Sequence, residues 1–359
     1  MPLVKKFRRL VLAGAALLSL GGCDMVLMNP SGHIALQQRD LIIISTILML
    51  LIIVPVMVMT GVFAWRYRHT NAHTEAEYDP DWSHSTGLEL LIWSAPLLII
   101  IALGAVTWIS THTLDPYRPL DRIDATRGTT EESRPLVVQV VALDWKWLFF
   151  YPEQGIATVN ELAAPVDRPI QFKITASSVM NSFFIPALAG QIYAMPGMET
   201  QLHAVINKAG VYDGFSANYS GAGFSQMRFK FHGLADADFD KWVDDIKAAG
   251  GALDRSGYLA LEKPSVAEPI HRYASADAKL YDAILNRCVE PNRMCMKDMM
   301  AIDHHGGMGD AGTYNLATNA MSNSRRGDAA AAARSYVGAL CTADYPAGAP
   351  LTLADGIRP

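Results

Sequence analysis

Two uncharged or nearly uncharged stretches of 23 residues, Leu41–Phe63 and Leu88–Ser110, constrain this chain more than any other feature. At 1.5 Å per residue each reaches roughly 34 Å as a helix, enough to cross a bilayer core of about 30 Å. The first holds no ionisable residue and the second holds Glu89 alone, near its start. Pro55 and Pro96 fall inside them, which membrane helices tolerate. Trp65 and Tyr67 follow the first span, and Trp82, Trp93 and Trp108 cluster towards the ends of the second, where aromatic side chains meet the headgroup level. Two spans cannot enclose a transport pathway alone, which excludes a polytopic transporter. A cytosolic enzyme is excluded by the same spans. A net charge of −5 and a pI near 6.1 argue against nucleic acid as a partner.

A third apolar block, Leu10–Leu20, is too short to span and follows Lys5, Lys6, Arg8 and Arg9. That is the pattern of an export signal. It ends in Leu20-Gly21-Gly22-Cys23, which resembles the lipobox of bacterial lipoproteins. The resemblance implies cleavage before Cys23 and acylation of its thiol. Asp24 resembles the inner-membrane retention signal of such lipoproteins. Export of the mature N-terminus puts the linker in the cytoplasm and everything after about Thr111 outside. Arg66 and Arg68 beside the first span agree with this orientation.

From Pro135 the hydrophobic period changes to two. Leu136–Val141 is β-rich, Trp145–Phe149 is aromatic, and Ile170–Ile174 and Gln226–Phe231 alternate. Gly and Pro punctuate these runs, which predicts a β-sandwich or small barrel over Pro135–Gly233. Beyond Gly233, Phe239, Trp242, Val243 and Ile246 follow helical spacing, Gly250-Gly251 stops the segment, and Ala278–Cys288 suggests a second short helix. The resulting organisation is a signal peptide at 1–22, a periplasmic segment at 23–40, spans at 41–63 and 88–110, and a cytoplasmic linker at 64–87. A periplasmic β-domain at 111–233, a helical extension at 234–300 and a loosely ordered tail at 301–359 follow.

Several segments carry a family resemblance. Leu88-Glu89-Leu90-Leu91-Ile92-Trp93-Ser94-Ala95-Pro96 resembles the second span of haem-copper oxidase subunit II. Ala142–Phe149 resembles that family's aromatic strand, and Tyr151–Glu161 is similar to the version in cytochrome bo-type ubiquinol oxidases. The resemblance covers about Cys23 to Trp242 and implies a cupredoxin fold.

Cytochrome c oxidases hold a two-copper centre, CuA, in this domain. Its ligands are two thiolates, two imidazoles, a thioether and a backbone carbonyl, and soft thiolates have no good substitute as copper bridges. By the resemblance, the first ligand histidine falls at Asn181. The run Cys-x-Glu-x-Cys-x-x-x-His-x-x-Met falls on Ser216–Met227, so that Ser216, Asn218, Ser220 and Phe224 stand in place of Cys, Glu, Cys and His. Met227 alone remains, and one thioether cannot hold a copper pair. The expectation is no metal in this chain and no cytochrome c as donor.

The resemblance therefore implies a non-redox subunit of a proton-pumping quinol oxidase. Haem b, haem o and CuB are expected in subunit I, with ubiquinol reaching the complex there. Subunits I, III and IV and membrane lipid are the expected partners. Glu89 is the expected proton entry, since in the family a glutamate here lies at the mouth of the K-channel. Trp145 and Trp147 are read as packing residues.

Four cysteines are present: Cys23, Cys288, Cys295 and Cys341. With Cys23 acylated, three remain for one disulfide in an oxidising compartment with one left over; three pairings are open, and Cys288–Cys295, around Pro291, closes a short loop. Met294, Cys295, Met296, Met299, Met300, His304, His305 and Met308 form a soft-ligand run that suits Cu(I) or, more simply, helix packing. Two rivals follow. A CuA-bearing cytochrome c oxidase subunit needs the missing thiols. A free lipoprotein that binds copper or scaffolds would not need Glu89 in a family-like span.

Overall fold

The computed structural model describes residues 25–68, 81–129 and 134–304. Cys23, Cys341, His305 and Met308 lie outside them. The described chain divides into two compact units: residues up to Arg118 together with Pro186–Gly190, and Pro119–Ile185 together with the chain from Gln191 onward.

The first unit is a helical hairpin. Helix α1 is His33–Arg66 and α2 is Thr86–Thr113, so each overruns its apolar stretch at both ends. None of the most apolar window of either helix is buried within the chain. Leu51, Leu90, Trp93 and Trp108 are each more than 60% exposed. Apolar surface of this extent is stable only against lipid or another protein. Before α1, the Ser31 and Gly32 amides donate to the Ala187 carbonyl at 3.0 and 2.8 Å, tying the 186–190 segment to this unit.

The second unit is a β-sandwich. Its strands are β1 Leu136–Leu143, β2 Lys146–Tyr151, β3 Ile156–Val159, β4 Glu161–Pro165, β5 Ile170–Ala176, β6 Asn181–Phe184, β7 Ile192–Ala194, β8 Thr200–Ala204, β9 Gly210–Ser216 and β10 Arg228–Leu234. After them come α3 Asp236–Ala249, β11 Ala252–Leu253, α4 Arg255–Glu262, β12 His271–Tyr273, β13 Ser275–Ala276, α5 Leu280–Leu285 and α6 Met296–His304. One sheet runs β12-β3-β2-β1-β5-β8 and faces a second, β4-β10-β9-β6-β7.

Between the sheets lie aromatic rings. Trp147, Phe149, Phe172, Phe183 and Phe229 are all buried, with Phe183 stacked on Phe229 at 5.4 Å and set edge-on to Trp147 at 5.3 Å. Gly214 faces Phe229, whose ring fills the space a Cβ would take. Strand β2 is buried at all six positions because both of its faces are covered. Trp147 and Phe149 point to the sandwich core, while Leu148 and Phe150 point the other way. There they pack with Leu253, Tyr258, Leu261, Leu280, Tyr281 and Ile284 in a second core.

This second core revises the expected helical extension over 234–300. Helix α3 forms as the spacing predicts, with Phe239, Val243 and Ile246 buried and Gly250 and Gly251 at φ of 74° and 90° after it. Three short strands accompany the helices, however. The strand β12 pairs antiparallel with β3 and extends the large sheet. Beyond 300, α6 continues to His304, and the rest of the expected tail lies outside the described residues.

Candidate functional site

The positions of the expected copper ligands converge at one end of the sandwich. Asn181 opens β6, Ser216 closes β9, and pairing of Phe183 with Ser216 sets the two strands side by side. Ser216 is buried; its hydroxyl donates to Asn181 Oδ1 at 3.1 Å and lies 3.3 Å from the Asn218 carbonyl. The Asn218 amide donates to the Met180 carbonyl at 3.3 Å, and the Ala217 amide to Ser182 at 3.0 Å. Phe224 begins a 3-10 turn and meets Tyr219 edge-on at 5.7 Å. Met227 is fully buried.

Trp145 closes this loop from the β1–β2 turn. Its indole Nε1 donates to the Ser220 carbonyl at 3.0 Å. Its backbone φ is 147°, a strained value for any residue but glycine. Gly221 and Gly223 lie beneath its ring, and a Cβ at Gly223 would collide with it. Two glycines therefore allow the indole to sit on the loop backbone.

The donor set does not fit a copper pair. Hydroxyls, an amide and a phenyl ring stand where thiolates and two imidazoles would be needed, and the side chains of Asn181, Ser216 and Asn218 bond one another or the backbone. Among the described residues, no three His, Cys, Asp or Glu side chains gather as a metal site. Part of the soft-ligand run is engaged in packing, while Met300 is exposed. Cys288 and Cys295 form a disulfide, Met294 and Met299 are buried, and Met296 packs over Gly197.

Glu89 stands apart, in the first turn of α2, where a helix N-terminus favours a carboxylate. Its Oε1 lies 3.5 Å from His84 Nδ1, and both side chains are exposed.

One polar constellation escaped the sequence reading. Glu161, almost fully buried, accepts two bonds from the Arg272 guanidinium, at 2.7 and 2.8 Å, with His232 Nε2 at 3.6 Å. Lys146, also buried, donates to the Lys263 carbonyl at 2.8 Å and to Ser265 Oγ at 2.5 Å. Burial lowers its pKa, with Glu268 and Asp144 opposing that shift. Asn160 accepts from the Trp147 amide and donates to the Glu268 carbonyl. Together these contacts fasten residues 263–273 to the sandwich.

A membrane hairpin followed by this sandwich defines the class as subunit II of the haem-copper oxidases. Residues 153–233 match the family model described as cytochrome c oxidase subunit II, periplasmic domain, and residues 247–292 match the COX aromatic rich motif. The cytochrome bo(3) ubiquinol oxidase subunit 2 of Pseudomonas putida is 50% identical over 80% of this chain and 89% of its own length. That of Pseudomonas aeruginosa is 52% identical over 76% and 79%. The ubiquinol oxidase subunit 2 of Acetobacter aceti is 45% identical over 79% and 89%. Among solved structures, the periplasmic domain of subunit II of cytochrome oxidase from Bradyrhizobium japonicum is 23% identical, with a TM-score of 0.31, over 32% of this chain and 94% of that one. The chain belongs to the ubiquinol oxidase subunit 2 family.

Proposed function

We propose that this chain serves its quinol oxidase as a subunit without a redox centre of its own. The observation that carries the reading is the replacement of the copper-ligand loop by Asn181, Ser216, Asn218, Ser220 and Phe224. Without thiolates the domain has no route for electrons from an external protein donor. Electrons then enter from ubiquinol within the bilayer. Haem b, haem o and CuB belong to subunit I in this reading, and subunits III and IV complete the complex. The chain contributes assembly, stability and proton entry.

The same reading sets the topology. Cys23 carries lipid on the outer face, the linker 64–87 lies in the cytoplasm, and the sandwich lies in the periplasm. Glu89 then sits at the cytoplasmic mouth of the second span. The nearby His84 and the exposure of both groups support proton exchange with water there.

The test is native purification through a C-terminal tag, with oxygen uptake driven by ubiquinol or by reduced cytochrome c. Uptake with ubiquinol in a haem-containing complex is expected. Uptake with cytochrome c alone would overturn the reading, and absence of haem would favour a free lipoprotein. Glu89→Ala should lower turnover by about tenfold, less than the hundredfold typical of a lost proton-transfer group, because water reaches the same mouth. Unchanged turnover and proton release would remove Glu89 from the role.

A further inference from the structure

The C-terminal motif and Ser177 border an open cavity of about 250 Å³, with Arg287 exposed at its rim, that the oxidase reading leaves without a role. Tyr258 and Ile284 are its buried walls, and Glu262, Arg287, Glu290 and Arg293 line it with charge. The wall that carries Glu290 and Arg293 is a loop closed by the Cys288–Cys295 disulfide. Such a wall is held in shape before any ligand arrives, which lowers the cost of binding.

Arg287 occupies an unusual place. It follows the cap of α5 with φ of 55°. The Cys288 amide donates to the Ala283 carbonyl at 2.9 Å and the Arg287 amide to Ile284 at 3.0 Å. This is the Schellman ending, whose left-handed position favours glycine. Here an arginine takes it against that preference, and its side chain lines the cavity.

Two carboxylates and two guanidiniums line the cavity, and both carboxylates are already engaged. Arg293 Nη1 donates to Glu290 Oε2 at 3.2 Å. Tyr258 OH donates to Glu262 Oε1 at 3.2 Å, and burial raises the Glu262 pKa while that bond opposes the shift. The Arg287 guanidinium makes no hydrogen bond or ion pair among the described residues.

We propose that this cavity is an oxyanion site, in which Arg287 and Arg293 hold a phosphate or carboxylate group. A guanidinium presents paired N–H donors that match such a group. The anion arrives either as a small soluble molecule or as a lipid headgroup, and both present the same oxygens.

The test uses the full chain in its purified complex, with inorganic phosphate titrated at constant ionic strength and unfolding of the β-domain followed by temperature. A saturable rise in Tm is expected for the native chain. Arg287→Gly relieves the left-handed backbone, so its Tm without phosphate should equal or exceed the native value. Its apparent phosphate affinity should nevertheless fall at least tenfold, and Arg287→Asn, which tolerates the same backbone, should behave alike. A second arm replaces phosphate with nanodiscs of phosphatidylcholine with or without phosphatidylglycerol. A response to phosphatidylglycerol alone, lost in Arg287→Gly, identifies the headgroup as the source. No response in either arm, or an equal response in Arg287→Gly, overturns the site.

Discussion

The two faces of the large sheet are secured by different means. Its inner face meets the second sheet through rings, Trp147, Phe149 and Phe172 against Phe183 and Phe229, at centroid distances of 5.1 to 6.4 Å. Its outer face meets the C-terminal motif through aliphatic and tyrosine side chains, with Lys146 donating to Ser265 beside them, and Arg272 of the edge strand β12 reaches Glu161 of the second sheet. Ring packing is insensitive to protonation and depends on shape. A buried ion pair depends on both partners being present. The inner face can therefore keep its form while the ligand loop at its end changes chemistry. The outer face holds its partner by apolar packing, to which the polar contacts at its edge add a charge-dependent part.

Removing a ring should test the inner face most severely. Phe183 touches Trp147, Phe149, Phe172 and Phe229. Phe183→Ala should cost about 3–5 kcal/mol, as expected for a buried aromatic replaced by alanine. Thermal unfolding of the purified chain measures it, and a loss below about 1 kcal/mol would mean that the sheets close over the gap.

At the edge strand β12 the larger effect should come from Arg272→Met. Glu161 is 5% exposed and would keep only His232 Nε2 at 3.6 Å, whereas the arginine side chain is 40% exposed. Breaking a buried pair costs about 3–5 kcal/mol, and water at the arginine end reduces this to about 2 kcal/mol. Hydrogen exchange should then rise across residues 263–273 and stay unchanged at Phe183 and Phe229. Equal loosening of both faces would mean that they fold as one unit.

Much of this arrangement is legible in the sequence, for reasons that differ by segment. Long apolar stretches mark α1 and α2 because a bilayer demands length and composition alone. The alternation in Ile170–Ile174 and Gln226–Phe231 is visible because one face of each strand meets the core. The ligand loop is legible only through the family resemblance, which sets Ser216 and Ser220 against cysteines and Asn181 and Phe224 against histidines. The fastening of the C-terminal motif does not read. Glu161 and Arg272 are 111 residues apart, and β12 is three residues long, too short to show any period. Lys146 sits in an aromatic run with no sign that its ammonium is covered. Helix α4 has eight residues, and its one signal is Asp254, which accepts from the Gly257 amide as an N-cap.

A smaller effect is expected in the ligand loop itself. Ser216→Ala removes the donor to Asn181 Oδ1 and leaves that oxygen buried without it. The cost should be about 1–2 kcal/mol. If Ser216→Ala is neutral, the Trp145 indole and the two glycines beneath it hold the loop unaided.

The weakest test separates the two faces by pH. Glu268 accepts from Ser265 Oγ and lies 2.8 Å from His271 Nε2. The Ser265 bond, then the His271 contact, holds its carboxyl below the ordinary glutamate value, with Lys146 adding to the effect. A carboxyl whose folded pKa is depressed contributes stability above its unfolded pKa, about 4.3, and loses it as pH falls through the folded value. Hydrogen exchange of residues 263–273, followed from pH 7 to pH 3, should therefore accelerate below about pH 4.3 relative to the ring-packed core. In Glu268→Gln that acid-dependent step should shrink, while the neutral-pH exchange of the same segment should rise slightly. An acid profile identical in the two proteins would assign the sensitivity to other carboxylates, such as Asp254, held low by the Gly257 amide and Ser256.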